Sequence, residues 1–299
     1  MTTPARLRIP ASRTKLILLL ALMVLIWSAN FIIAKVALRH FPPFTLAVFR
    51  TTLATAFVLL FFLPVARRQP RFRRSDWRKF IELGIYGVVF NQTFFVLGLS
   101  HTSVAHSSLI ISLSPVLVLI IARLRGLEEF TGAKVVGVAM SFIGVAILSS
   151  EHGVSLHSPT LMGDVLTLSG SAAFAYYTVA GKEVADRYSS LAMNTYCYLV
   201  AATLILPFTL WQGLQLDWGA VGTTGWLSLI YMALFSSAVA YLIYYWALRR
   251  ISATRAATLS YLQPVLATLL GVLFLAEHLA PRLLVGGAIV LVGVYLAER

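Results

Sequence analysis

Apolar residues along this chain neither alternate with polar ones nor keep to a single helical stripe; they fill whole stretches. Ten stretches approach the ~20 residues that carry a helix across a ~30 Å hydrocarbon core: 16–38, 44–66, 80–99, 102–124, 135–150, 161–181, 191–211, 223–248, 252–276 and 281–297. Strands of a membrane barrel would alternate over segments of about ten residues, whereas Val116 to Ala122 and Leu199 to Leu206 are apolar nearly all round. The pattern predicts an all-α integral membrane protein with ten transmembrane helices, of which the fifth and tenth come from the shortest stretches. Connections are short, and no soluble domain is expected at either end.

Composition agrees with a lipid solvent. The chain is 59% apolar and 12% charged, with a mean hydropathy of +0.84, about half the ~25% charged residues of soluble domains. The single cysteine, Cys197, excludes an intrachain disulfide framework and any multi-cysteine metal site. No cofactor is expected.

A net charge of +13 would suggest nucleic acid in a soluble protein, but position decides otherwise. With the N-terminus in the cytoplasm, all but four of the 24 Lys and Arg fall on the cytoplasmic side, foremost Arg67, Arg68, Arg71, Arg73, Arg74, Arg78 and Lys79. Only Arg39 and Arg282 lie outside, and Lys35 and Arg50 lie within spans. This is the positive-inside pattern. It predicts both termini cytoplasmic, membrane lipid rather than nucleic acid as partner, and residues 1–15 as a cytoplasmic leader. The apolar run from Leu16 continues past Trp27 to Leu38, longer than the roughly 7 to 15 residues of a signal-peptide core.

Shifting the sequence on itself by 149 residues lays 103–148 over 252–297 with twelve of 46 positions identical, where about four are expected for so biased a composition. Pro115/Pro264, Glu128/Glu277, Gly137/Gly286 and Gly144/Gly293 are among the matches. A shift of 147 pairs Lys35 with Lys182. The chain thus reads as two five-span repeats, 16–150 and 161–297. Because five is odd, the second enters the membrane from the opposite side. Such inverted repeats underlie alternating access in many secondary transporters.

Several motifs in order resemble the EamA-type transporters of the drug/metabolite transporter superfamily. They are Trp27-Ser28-Ala29-Asn30-Phe31 followed by Lys35, then Pro43 and Arg50, the Leu-Ser-Pro-Val and Leu-Gln-Pro-Val turns at 113–116 and 262–265, and Glu277 with the Gly-rich run 286–294. The resemblance implies ten helices in two inverted repeats and a central cavity formed mainly by helices 1, 3, 4, 6, 8 and 9. It also implies a multi-pass protein of the bacterial inner membrane that exports aromatic amino acids and other metabolites. A chain functional as a monomer is expected.

Cost selects the candidate residues. A cation within the bilayer costs about 2.5–3.5 kcal/mol on insertion scales, so Lys35 and Arg50 require a reason to lie within spans: snorkelling to headgroups or attraction of a substrate carboxylate. Trp27, Ser28, Asn30, Ala34 and Lys35 share one helical stripe. Asn91, Gln92 and Phe95 fall together near mid-depth of the third span, and His106, Ser114 and Pro115 on neighbouring turns of the fourth. Interhelical hydrogen bonds and a polar cavity both account for them. His106 titrates near neutrality in its free form; Asp164 and Glu82, close to span ends, are further proton-carrier candidates or simply hydrated. In the second half Tyr177, Tyr241, Tyr244 and Tyr261 are candidate contacts for an amphipathic solute. Tyr261 and Gln263 point about 160° apart on one helix, so both cannot face a narrow cavity. Pro115 and Pro264 are candidate hinges, and Glu128 and Glu277 are expected to stabilise the N-terminus of the helix that follows each.

No HExxH, GxSxG or Walker sequence is present. The expectation is therefore a non-enzymatic secondary transporter of small amphipathic metabolites. An intramembrane enzyme or a non-transporting scaffold is the alternative.

Overall fold

The computed structural model describes residues 13–69, 72–127, 129, 131–149, 159–251, 262–277 and 280–297. These residues are helical and connecting, with no strand among them. The helices are α1 (Arg13–Ala37), α2 (Pro43–Phe62), α3 (Arg74–His101), α4 (Val104–Leu124), α5 (Gly132–Ser149), α6 (Pro159–Ala185), α7 (Ser190–Gln215), α8 (Gly222–Leu248), α9 (Leu262–Leu275) and α10 (Pro281–Ala297). Six of them, α1 to α4, α7 and α8, are long and apolar enough to cross a membrane; α5, α9 and α10 are apolar but shorter. Although α6 runs for 27 residues, it is the more polar helix. Asp164, Thr167, Ser171 and Thr178 are buried against neighbouring helices rather than turned to lipid.

Local chemistry sets the ends. Pro43 opens α2, where its missing N–H costs nothing. Ser103 caps α4 by accepting from His106 N at 3.1 Å, and Ser189 caps α7 by accepting from Ala192 N at 3.1 Å. Helix α4 is interrupted: one segment ends at Ile111, a turn at Ser112 and Leu113 follows, and a second segment starts at Ser114 with Pro115 in its first turn. The break thus lies just before the expected hinge. Hydroxyls of Ser112 and Ser114 donate to the carbonyls of Leu109 and Ile111 at 2.6 and 2.7 Å, satisfying groups that the break would leave bare. Pro264 is buried in the first turn described for α9; the residues matching the break lie partly outside the described residues.

Two helices contain a wide π turn, Ile85–Phe90 in α3 and Met232–Val239 in α8. The starts of these segments are 147 residues apart, the shift that pairs Lys35 with Lys182. The packing follows the same exchange of each helix for the one five later. Helix α1 packs on α8 and α9 as α6 packs on α3 and α4, α2 packs on α8 as α7 packs on α3, and the pairs α2 with α7 and α5 with α10 map onto themselves. The α5/α10 seam is made by backbone approach through small residues: Gly137 lies against Gly293 and Ala297, and Gly144 against Gly286 and Val290.

Cations gather at one end of the bundle. There Asp76 accepts from Arg187 Nη1 at 2.9 Å and from Tyr188 OH at 2.7 Å, and Lys79 pairs with Glu82 and Glu183 at 3.2 and 3.1 Å. Arg125 also pairs with Glu183. Residues 72–76 and 186–189 therefore share an end. At the other end Thr45 donates to Gln212, and Trp218 stacks on Trp226 with centroids 5.7 Å apart.

Candidate functional site

A cavity of about 80 Å³ lies between the two halves. Residues of α1 (Trp27, Asn30, Phe31), α3 (Asn91, Gln92, Phe95), α4 (Ser114), α6 (Thr167, Ser171, Phe174), α8 (Tyr241) and α9 (Gln263) line it, and α2 adds Arg50. Of the sequence candidates, Trp27, Asn30, Arg50, Asn91, Gln92, Phe95 and Tyr241 meet here.

Arg50 is 4% exposed. Its Nε donates to Ser237 Oγ at 3.0 Å and its Nη2 to Ser236 Oγ at 3.2 Å, while Nη1 is buried without a partner. No carboxylate pairs with it among the described residues. The guanidinium carbon lies 5.7 Å from the centroid of Phe95. A buried cation held only by neutral hydroxyls keeps both its charge and a spare donor, the condition in which an anion is bound most strongly.

The polar frame around it is fixed by hydrogen bonds. Ser237 Oγ lies 3.3 Å from Gln92 Oε1, Gln92 Nε2 donates to Tyr198 OH, and Tyr198 OH donates to the Ser237 carbonyl at 3.2 Å. Asn91 Nδ2 donates to the Gly170 carbonyl at 3.0 Å, and its Oδ1 accepts from Tyr241 OH at 2.8 Å. The π turns supply part of this frame because their widened backbone presents carbonyls to side chains. Trp27 Nε1 donates to the Ser236 carbonyl at 3.1 Å, Asn194 Nδ2 to that of Ala238 at 3.2 Å, and Tyr241 OH reaches that of Gly87 at 3.2 Å. Trp27 stands edge-on to Phe174 and Tyr241, with centroids 5.8 and 5.9 Å apart, giving the cavity an aromatic wall.

Other candidates lie elsewhere. Tyr177 and Tyr244 are fully buried in the aromatic core beside the cavity, with Tyr244 OH 2.5 Å from Thr178 Oγ1; they support Tyr241 without lining the space. Tyr261 and Glu128 are outside the described residues. Lys35 lies in a separate recess with Arg39, Ser100 and Glu277, and makes no hydrogen bond among the described residues. Its counterpart Lys182 donates to the carbonyls of Leu248 and Ile251, the latter at 3.0 Å. His106 Nδ1 faces Asp164 Oδ2 at 3.5 Å, and Asp164 Oδ1 accepts from Thr102 Oγ1 at 3.0 Å. Both residues are buried, which corrects the expectation that Asp164 is hydrated.

Glu277 corrects another expectation. It does not serve the helix that follows it, but accepts from Val104 N at 2.8 Å and Ala105 N at 3.2 Å, capping α4 from the other half. Glu277→Ala should therefore cost about 1 kcal/mol, read as a lowered unfolding midpoint, with Glu277→Gln recovering part of it.

Sequence reasoning did not select Ser236, Ser237, Thr167, Ser171 or Phe174. The adjacent serines within an otherwise apolar run were the available signal for Arg50's partners, since hydroxyls in lipid-embedded helices seek polar contacts.

Comparison with known proteins agrees with this architecture. The sequence matches the EamA-like transporter family twice, over residues 14–150 and 161–298. It is 30% identical over 283 residues to an uncharacterized transporter of Archaeoglobus fulgidus, covering 94% of this chain and 98% of that one. It is 26% identical over 286 residues to a probable terminal-alkyne amino-acid exporter of Streptantibioticus cattleyicolor, covering 96% and 94%. Among the solved structures it resembles is a crystal structure matched with a TM-score of 0.67 at 22% identity, over 96% of this chain and 97% of that one, a likeness of fold. Two matched units facing one another across a cavity place the chain in the EamA-like transporter family.

Proposed function

We propose that the chain is a secondary transporter that exports small amphipathic carboxylates, amino acids or their analogues foremost, by alternating access through the Trp27–Arg50–Tyr241 cavity. In this reading ten helices cross a bacterial inner membrane as two inverted five-helix repeats, with both termini cytoplasmic and a single chain sufficient for transport. The exchange-symmetric packing carries the proposal: each half supplies a helix, α1 or α6, that packs chiefly on the other half in matching fashion, so one cavity can be offered to either face by equivalent motions. Clustering of Arg and Lys at the end bearing residues 72–76 and 186–189 supports placing that end in the cytoplasm. Amino acids are favoured because one relative is described as a probable amino-acid exporter.

Purified protein in liposomes preloaded with unlabelled phenylalanine should accumulate labelled phenylalanine by counterflow, with empty liposomes as the control. Absence of counterflow for every aromatic and aliphatic amino acid, in protein that unfolds cooperatively, would overturn this reading.

A further inference from the structure

The charge inventory of the cavity narrows its cargo further, on the premise that this cavity is where cargo binds. Its described lining contains one guanidinium and no carboxylate. Carboxylates on or beside the lining helices face other groups: Asp164 Oδ1 accepts from Thr102 Oγ1 and its Oδ2 lies 3.5 Å from His106 Nδ1, Glu82 and Glu183 pair with Lys79, and Glu277, past the end of α9, accepts from the first turn of α4. Of the amide oxygens, Asn91 Oδ1 accepts from Tyr241 OH at 2.8 Å, and Gln92 Oε1 lies 3.3 Å from the Ser237 hydroxyl, whose nearer acceptor is the Met232 carbonyl at 2.9 Å. Two buried polar atoms on cavity-lining residues have no partner: the donor Arg50 Nη1 and the acceptor Asn30 Oδ1.

We infer that the cavity reads the carboxylate of its cargo and has no subsite for an ammonium: a carboxylate on Arg50, one neutral hydroxyl or amide N–H for Asn30, and a flat apolar body against Trp27 and Phe174. An ammonium group is not provided for. It has three donors to satisfy, finds one open amide oxygen, and shares a low-dielectric space with a fixed positive charge. Replacing the α-ammonium of an amino acid by a hydroxyl or an acylated nitrogen therefore costs no affinity.

The test compares four ligands by calorimetric titration of the full chain in detergent: phenylalanine, 3-phenyllactate, N-acetylphenylalanine and phenylalanine amide. Phenyllactate or N-acetylphenylalanine should bind at least as tightly as phenylalanine, and the cationic amide at least tenfold more weakly. Phenylalanine binding tenfold tighter than both anions would overturn the inference while leaving carboxylate transport standing, because it would show an ammonium subsite. Equal binding of the amide would overturn it through Arg50. Binding of none of the four by cooperatively unfolding protein would remove the cavity as the cargo site, and the inference with it.

Discussion

Exchanging Arg50 for methionine should weaken carboxylate binding by about 10- to 150-fold while leaving the unfolding midpoint unchanged or raised. Hydrogen bonds to charged groups contribute about 1.5–3 kcal/mol, and each 1.4 kcal/mol is tenfold in affinity. The opposite sign for stability follows from the missing counter-charge. Arg50 is desolvated with only Ser236 and Ser237 to receive it, so burial costs more than those two bonds return, and an apolar side chain of similar length removes the cost. Titration of ligand into the purified variant, with thermal unfolding alongside, checks both halves. A lowered midpoint with unchanged affinity would make Arg50 a structural strut. Arg50→Lys should recover little, since an ammonium cannot reproduce the two-pronged contact to the serines with a third N–H left over.

Gly137→Ala is expected to destabilise the fold by 2 kcal/mol or more, as ~1–3 kcal/mol is typical of overpacking and this site has nothing soft to displace. A Cβ there would stand 2.3 Å from Ala297 N, 2.5 Å from the Gly293 carbonyl oxygen and 2.8 Å from Ala297 Cα. All three are backbone atoms, so α5 and α10 must separate along the seam. Gly132→Ala is the control: no atom lies within 4 Å of its Cβ position, and it should be neutral or stabilising by up to ~1 kcal/mol through helix propensity. Thermal unfolding of the two variants in one detergent decides between seam packing and a general intolerance of α5. Similar midpoints for both would refute the seam.

The helices were legible because a bilayer demands long apolar runs, and the first run, 16–38, corresponds to Arg13–Ala37 within three residues. The polar character of α6 was less so. Its apolar average hides Asp164, Thr167 and Ser171, which face neighbours rather than lipid, and composition cannot tell a face packed on protein from one turned to solvent. The π turns left no mark on the pattern, since hydropathy does not register one extra residue per turn. Of the site, residues on α1 and α3 were readable because Trp27, Asn30, Asn91 and Gln92 are costly in lipid wherever they point. Tyr241 and Tyr244 were both candidate contacts, but the pattern does not say which of them meets a void; Tyr241 lines the cavity while Tyr244 fills the core. Glu277 escaped because the helix it caps lies 173 residues away, beyond any local rule.

The cradle of Arg50 has a consequence for biosynthesis. Ser237 and Ser236 follow it by 187 and 186 residues, so at about 5–20 residues per second the ribosome delivers them roughly 10 to 40 s after α2. During that interval the guanidinium sits in the bilayer without its hydroxyls, near enough to the start of α2 to reach toward headgroups. Synthesis thus supplies the charge first and its receptor last, and the half-made chain, with an uncovered arginine, is the form that membrane quality control encounters.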